Sequence, residues 1–394
     1  MTTAGPSPLE LLRAVVAHGL PGGPPMPKLP SDRQRWRELL ALAERQRVLG
    51  LLVAAIDDDG VDVGERNRSE LLDLHRHWCA HDLRLERVLL QVADRLDEEG
   101  IDFVVLKGPA LAHTRYRDPS LRLFADLDLL VRSGHVTAAS AAIEDLLDAR
   151  PELPELRHGF DDRFGKEVML RTPATHDAPD GLEVDLHRTL IAGALGLTIP
   201  LDSLFADTAT LVLGGRALPT LGPVATLLAA CYQASISDNP PRLAAACDLA
   251  QIVADDPPPV AEVLAEARRW RATAVVTDAL TRTWRTLDLP PDPFVERWLA
   301  ETRPTRLERT LLRAHLAPGY VYWRHLAALL VLPGVEPRVR YALAIVAPQA
   351  SYLDRRASSL PAHARRSWRS LNRPVREPLV RTARRVGRRF LRPG

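Results

Sequence analysis

The sequence predicts an α+β protein, a small mixed sheet flanked by helices with additional, mainly helical N- and C-terminal regions. Three observations predict it. Residues up to about 100 place apolar side chains at helical spacing, and residues 103–190 contain four short runs that alternate or are β-branched. Beyond Pro223 the spacing is helical alone. The expected organisation is a helical lead over 1–80, an α/β unit over 81–221, a helical unit over 222–354 and a basic tail over 355–394.

A chain of 394 residues exceeds most single cores, and 46% hydrophobic with 26% charged residues is the balance of a folded protein. Glu10, Arg13 and His18 interrupt the apolar residues at the start, which does not read as a secretion signal. The best apolar run, HLAALLVLPGV, is broken by Pro333 well short of the ~18 residues a membrane span needs. Cys79, Cys231 and Cys247 have neither metal nor redox spacing. These features lead us to expect a reduced, cytoplasmic protein. The net charge of +2 conceals an asymmetry, because thirteen arginines against Glu377 give residues 355–394 a charge of +12 and leave about −10 for the rest.

In DLRLERVLLQVADRLDEEG, residues Leu85, Val88, Leu89, Val92 and Leu96 share a helical face, with Asp82 placed to cap the start and Gly100 to end it. FVVLKG at 103–108 is short and β-branched enough for a buried strand, and a helix from Pro109 to about Tyr116 follows with proline in its first turn. FADLDLLV is a second strand and 133–148 a helix. KEVMLR and GLEVDLHRTL are further strands, joined through a turn holding Pro173, Pro179 and Gly181. Helices such as VATLLAACYQAS, RLAAACDLAQIVA and TRLERTLLRAHLA fill the region after Pro223.

Alternation along a strand puts Asp126 and Asp128 on one face and Leu127, Leu129 and Val131 on the other. Two carboxylates so placed repel each other unless a cation lies between them, and hard oxygen ligands suit Mg²⁺. GLEVDLH repeats the pattern, with Glu183, Asp185 and His187 sharing the polar face, and Asp185 is the best candidate for a third ligand. Three acids of this kind suit metal-assisted phosphoryl or nucleotidyl transfer. Lys107 and Gly108 sit where strand gives way to helix, a place where backbone can approach a phosphate and lysine can neutralise it. Arg122 is a further cation that could reach a phosphate.

VVLKGPALAHTRYRDPSLRLFADLDLLV, followed by LEVDLH, resembles a bacterial family of uncharacterised nucleotidyltransferases within the DNA polymerase β superfold. The resemblance is strong over about residues 80–190, and CDLAQIV and VLPGVEPRVRYALAIVAP fit the family's later segments. It implies a polymerase β-type nucleotidyltransferase domain and transfer from a nucleoside triphosphate. Asp126, Asp128 and Asp185 would be ligands to Mg²⁺ or Mn²⁺, with Gly108 near the phosphates. The chain departs from the superfold in having Lys107-Gly108 where Gly-Ser or Gly-Gly is usual, and in a longer gap from Gly108 to Asp126.

The expected function is therefore transfer of an NMP from an NTP to an unidentified acceptor. One alternative is a binding or accessory protein that keeps the fold without catalysis. Another is a GT-A-type glycosyltransferase using D-x-D, which the helical first hundred residues argue against. Two further signals are discounted. HRHWCAH at 75–81 brings only His77 and His81 to one helical face, too few for zinc. The tail places Leu379, Ala383, Val386 and Phe390 on one face among arginines, and a docked or solvated helix is favoured there over contact with nucleic acid or a membrane.

Overall fold

The structure, a computed structural model, describes residues 6–237, 240–317 and 320–356. The tail's apolar face from Leu379 to Phe390 lies outside these residues. The molecule is α+β, built on a seven-stranded mixed sheet in the order β3-β4-β5-β2-β1-β7-β6. The strands are β1 (Phe103–Val105), β2 (Asp126–Val131), β3 (Arg150–Pro151), β4 (Glu167–Arg171), β5 (Glu183–His187), β6 (Thr208–Leu213) and β7 (Arg216–Leu221). β2 runs antiparallel to β1 and parallel to β5.

Alternation decides what each face of the sheet meets. Leu127, Leu129 and Val131 of β2, with Val184 and Leu186 of β5, enter a core shared with Leu85, Leu89, Val92 and Leu96 of the helix Glu65–Glu98. On the opposite face Val104, Leu130 and Leu221 pack into a second core with the helices after residue 222. Asp126, Asp128 and Asp185 belong to this second face, toward the end where its apolar cover stops.

Three features differ from expectation. The Glu65–Glu98 helix begins about seventeen residues before Asp82, since no glycine or proline interrupts 65–81. Asp82 is therefore no cap; its buried carboxylate instead accepts the Phe124 N–H at 3.2 Å. Gly100 does follow the helix end, with φ +64°. The helix expected at Pro109 starts at Lys107. Finally, β6 and β7 form a hairpin that strand reading missed. Gly214 and Gly215, both at positive φ, supply the two-residue turn that such a hairpin favours.

The N-terminal helices make a third core that takes in Leu243, Cys247 and Ala250 of the helix Leu243–Asp255. A turn between the helices Arg33–Arg45 and Leu49–Asp58 locks onto the same helix. There Gln46 Oε1 accepts the Leu243 N–H at 2.8 Å and the Gln46 carbonyl accepts the Ala244 N–H at 3.3 Å. Among the described residues no helix is long and apolar enough to cross a membrane.

Candidate active site

Parallel register between β2 and β5 brings the acids together. Asp126 lies opposite Glu183 and Asp128 opposite Asp185. Two ligand sets follow, Asp126 with Glu183 and Asp185, and Asp128 with Asp185 and His187, each with atoms within 4.8 Å of one another. Of these, Asp126, Asp128 and Asp185 line a cleft of about 290 Å³. Thr226 of the helix Pro223–Tyr232, Gln233 and Ser237 of a π-helical turn, and Arg242 line it as well. π-turns inside helices concentrate at functional sites.

Each carboxylate of the D-x-D pair has its own cation. Lys107 Nζ lies 2.6 Å from Asp128 Oδ1, and His187 Nε2 approaches the same oxygen at 2.6 Å. Burial works to raise the Asp128 carboxyl, but Lys107 and His187 outweigh it and hold the group well below the usual carboxylate range. Asp126 Oδ1 faces Arg47 at 3.3 Å. Arg47 comes from the turn that clasps Leu243, and its own backbone has φ +56°.

Asp185 differs from both. It is buried, and its Oδ1 has no hydrogen-bond partner. Burial, reinforced by Glu167, Asp128, Glu183 and Asp126, pushes its carboxyl up to about 8. A buried acceptor left unpaired is costly. Surrounded by further carboxylates, it fits a cation that the side chains themselves do not supply, and oxygen donors of this type match Mg²⁺ or Mn²⁺.

Lys107 has φ +36°, a region that disfavours side chains, and its ammonium is held on Asp128. Gly108 does not serve the turn; a Cβ there would meet the Phe124 ring at 3.2 to 3.3 Å, so glycine permits close packing beneath the cleft. Arg122 lines the cleft but is not a free phosphate ligand. It is buried, its guanidinium clamps both oxygens of Asp248 at 2.8 to 3.2 Å, and its Nη1 reaches the Leu123 carbonyl at 2.9 Å. Tyr116 donates to Asp248 as well, at 2.6 Å.

Sequence reading missed Arg47 as a site residue and assigned His187 no task. The signal for His187 was present, since it shares the polar face of β5; Arg47 is remote in sequence from every motif. In HRHWCAH the histidines disperse. His75 meets the Ser120 carbonyl and His81 the Ala125 carbonyl, so they hold the loop ahead of β2.

Acids on two adjacent parallel strands of a mixed sheet, facing a cation-lined cleft, form a group that could hold a metal ion. The chain belongs to the uncharacterised nucleotidyltransferase family, whose profile matches residues 32–288. No curated protein matches it. Among solved structures it is similar to an antigenic nucleotidyltransferase-like protein from Paracoccidioides brasiliensis, at 14% identity and a TM-score of 0.33, over 52% of this chain and 92% of that one. It is similar also to the antibiotic-resistance factor ANT(2'')-Ia, at 14% identity and a TM-score of 0.28, over 56% of this chain and 95% of that one.

Proposed function

We propose that the cleft transfers an NMP from a nucleoside triphosphate to an acceptor hydroxyl with the help of Mg²⁺ or Mn²⁺. The observation that carries this reading is the register of β2 against β5, which sets the unpartnered, buried Asp185 beside both acids of the D-x-D pair. In the reaction the acceptor oxygen bonds to the α-phosphorus. The bond to the β-phosphate oxygen breaks, pyrophosphate leaves and the acceptor's proton passes to water. Bound divalent cations supply charge neutralisation and lower the pKa of the attacking hydroxyl.

The chain's own residues divide the remaining work. Asp126, Asp128 and Asp185 hold the cations, with His187 fixing the orientation of Asp128. Lys107 and Arg47 act as resident counter-ions. Each neutralises one carboxylate in the structure, and each would be placed to meet triphosphate charge if a divalent cation were held by those acids. Gly108 keeps the floor against Phe124 close, and Arg122 acts as a positioning residue through Asp248.

The test is thermal unfolding with Mn²⁺ and ATP, since a ligand confined to the folded state raises the melting temperature. A rise is expected for the native chain and its loss in Asp126→Asn/Asp128→Asn. Transfer of label from α-labelled NTPs to an extract component should vanish in Asp185→Asn. An undiminished melting shift in the double variant would place the nucleotide elsewhere.

A further inference from the structure

A second cavity of about 390 Å³ lies beside the cleft. Lys166, Ile191 and Ser237 line both, so one opens against the other. The partition is the start of β4, where Lys166 and Glu167 pair with each other and Glu167 stands 3.4 Å from His187 Nε2. A molecule held here therefore lies one residue's width from the acids of the cleft.

The walls of this cavity have a definite chemistry. Leu153, Leu156, Met169, Ile236 and Leu316 give it an apolar wall beside a polar one. Two carboxylates, Glu155 and Asp161, face the same recess. Glu155 accepts the Phe160 N–H at 3.2 Å and, among the described residues, has only the fully exposed His158 as an ion-pair partner, at 3.5 Å. Asp161 makes no side-chain hydrogen bond or ion pair among the described residues. Burial, together with Glu155 and Asp162, pushes its carboxyl up to about 7 and outweighs the opposing charge of the nearby Arg188. Among the described residues no titratable group of the cavity wall is in an ion pair with Asp161, and Arg188 instead donates its Nε to the Gly165 carbonyl at 2.8 Å. Lys166 is taken by Glu167, and burial pushes His315 down to about 4, so it is neutral. Arg324 packs its stem against Gly193 and lies near His315, His325 and Tyr341.

The origin of the walls also matters. The cleft is made from residues within the part of the chain that matches the family, whereas His315, Leu316, Arg324 and Tyr352 of the second cavity lie beyond residue 288. A cavity built partly from residues beyond the matched span, and joined to the cleft, suits an acceptor pocket.

We infer that the second cavity is the acceptor subsite and takes a hydroxyl compound with an apolar body and a cationic amine, the amine held by Asp161 and Glu155. This rests on the nucleotidyl-transfer reading of the cleft. Saturation-transfer NMR on the full-length chain tests it with 2-amino-1-phenylethanol against two probes of similar size, the neutral 1-phenylethane-1,2-diol and the anionic mandelate. The amine should bind at least about tenfold more tightly than either analogue, as expected for a charge-assisted hydrogen bond in a partly dry site. Asp161→Asn should erase that preference. Ala192→Trp, which narrows the cavity without altering charge, should reduce binding of the amine and the diol alike. Equal binding of the three probes, or undiminished amine binding in both variants, overturns the assignment. The melting shift with Mn²⁺ and ATP is measured alongside, and both variants should retain it because neither residue lines the cleft. Its absence in the native chain would defeat nucleotidyl transfer, and the acceptor role with it, while amine selectivity would still report on the second cavity.

Discussion

Two buried ion pairs border the same cleft and leave different residues of charge behind. Arg122 and Asp248 form a closed unit, in which the guanidinium spans both carboxylate oxygens, Tyr116 donates to the same acid and the Leu123 carbonyl takes a remaining donor. Lys107 and Asp128 form an open one. Both Lys107 and His187 fall on Oδ1 of Asp128, while Asp185, across the strand pair, retains an unpartnered oxygen and Asp126 is held by Arg47 alone. Burial and pairing are common to both, so neither marks function. Negative charge in excess of its partners does, because that excess is what a metal ion or an incoming phosphate can exploit.

The contrast predicts unequal costs of truncation. Arg122→Ala leaves Asp248 charged and buried, and should destabilise the fold by about 3–5 kcal/mol in chemical denaturation. Lys107→Gly removes a charge from an equally buried acid, but His187 remains on Asp128 and glycine relieves the positive φ. Its cost should stay at or below about 1–2 kcal/mol while the affinity for Mn²⁺ with ATP falls. Similar stabilities for the two variants would erase the distinction between closed and open pairs.

A smaller effect with a more specific sign concerns Arg47. If it is a counter-ion that yields Asp126 to metal, Arg47→Ala should tighten binding of Mn²⁺ alone, by a few-fold in titration calorimetry. Binding of Mn²⁺ together with ATP should weaken by about tenfold, the worth of one charge-assisted phosphate contact. A purely structural arginine would move both affinities the same way.

The smallest expected effect lies under the site. Burial raises Asp82 to about 8, against the hydrogen bond from Phe124 and the charge of Arg122, which lower it. The unfolded chain releases this proton near the ordinary aspartate value of about 4, and the folded chain holds it until about 8. Between these limits the native state binds more protons, so stability is greatest below pH 4, declines as pH rises and levels off above 8. Asp82→Asn should flatten that slope and gain on the order of 1–2 kcal/mol at pH 8, visible as a melting temperature that depends less on pH.

Much of the sheet could be read from the chain because its signals are local. A two-residue period identifies β2 and β5 and assigns Asp126, Asp128 and Asp185 to polar faces before any pairing is known. What pairing adds is register: nothing in FADLDLLV or GLEVDLH says that Asp128 meets Asp185 and Asp126 meets Glu183. The partners of the two arginines were illegible for the same reason. Arg122 finds Asp248 and Arg47 finds Asp126 only through tertiary packing, across 126 and 79 residues respectively. The β6–β7 hairpin is another matter. Gly214-Gly215 between TATLVL and RALPTL is a local turn signal, offset by Pro219, which weakens RALPTL as a strand but is tolerated in this pairing opposite Thr210.

The clasp between Gln46 and the start of the Leu243–Asp255 helix has a mechanical meaning. It ties the arm that carries Arg47 to the helix that carries Asp248, through two backbone donors that have nowhere else to go. That side of the cleft behaves as a fixed jaw, since separating it would strand those donors. On the proposed function a bulky nucleotide would pass by the opposite rim, where Lys166 and Ser237 stand at the junction with the second cavity, and the order in which two substrates load would be set by which of them first closes that shared doorway.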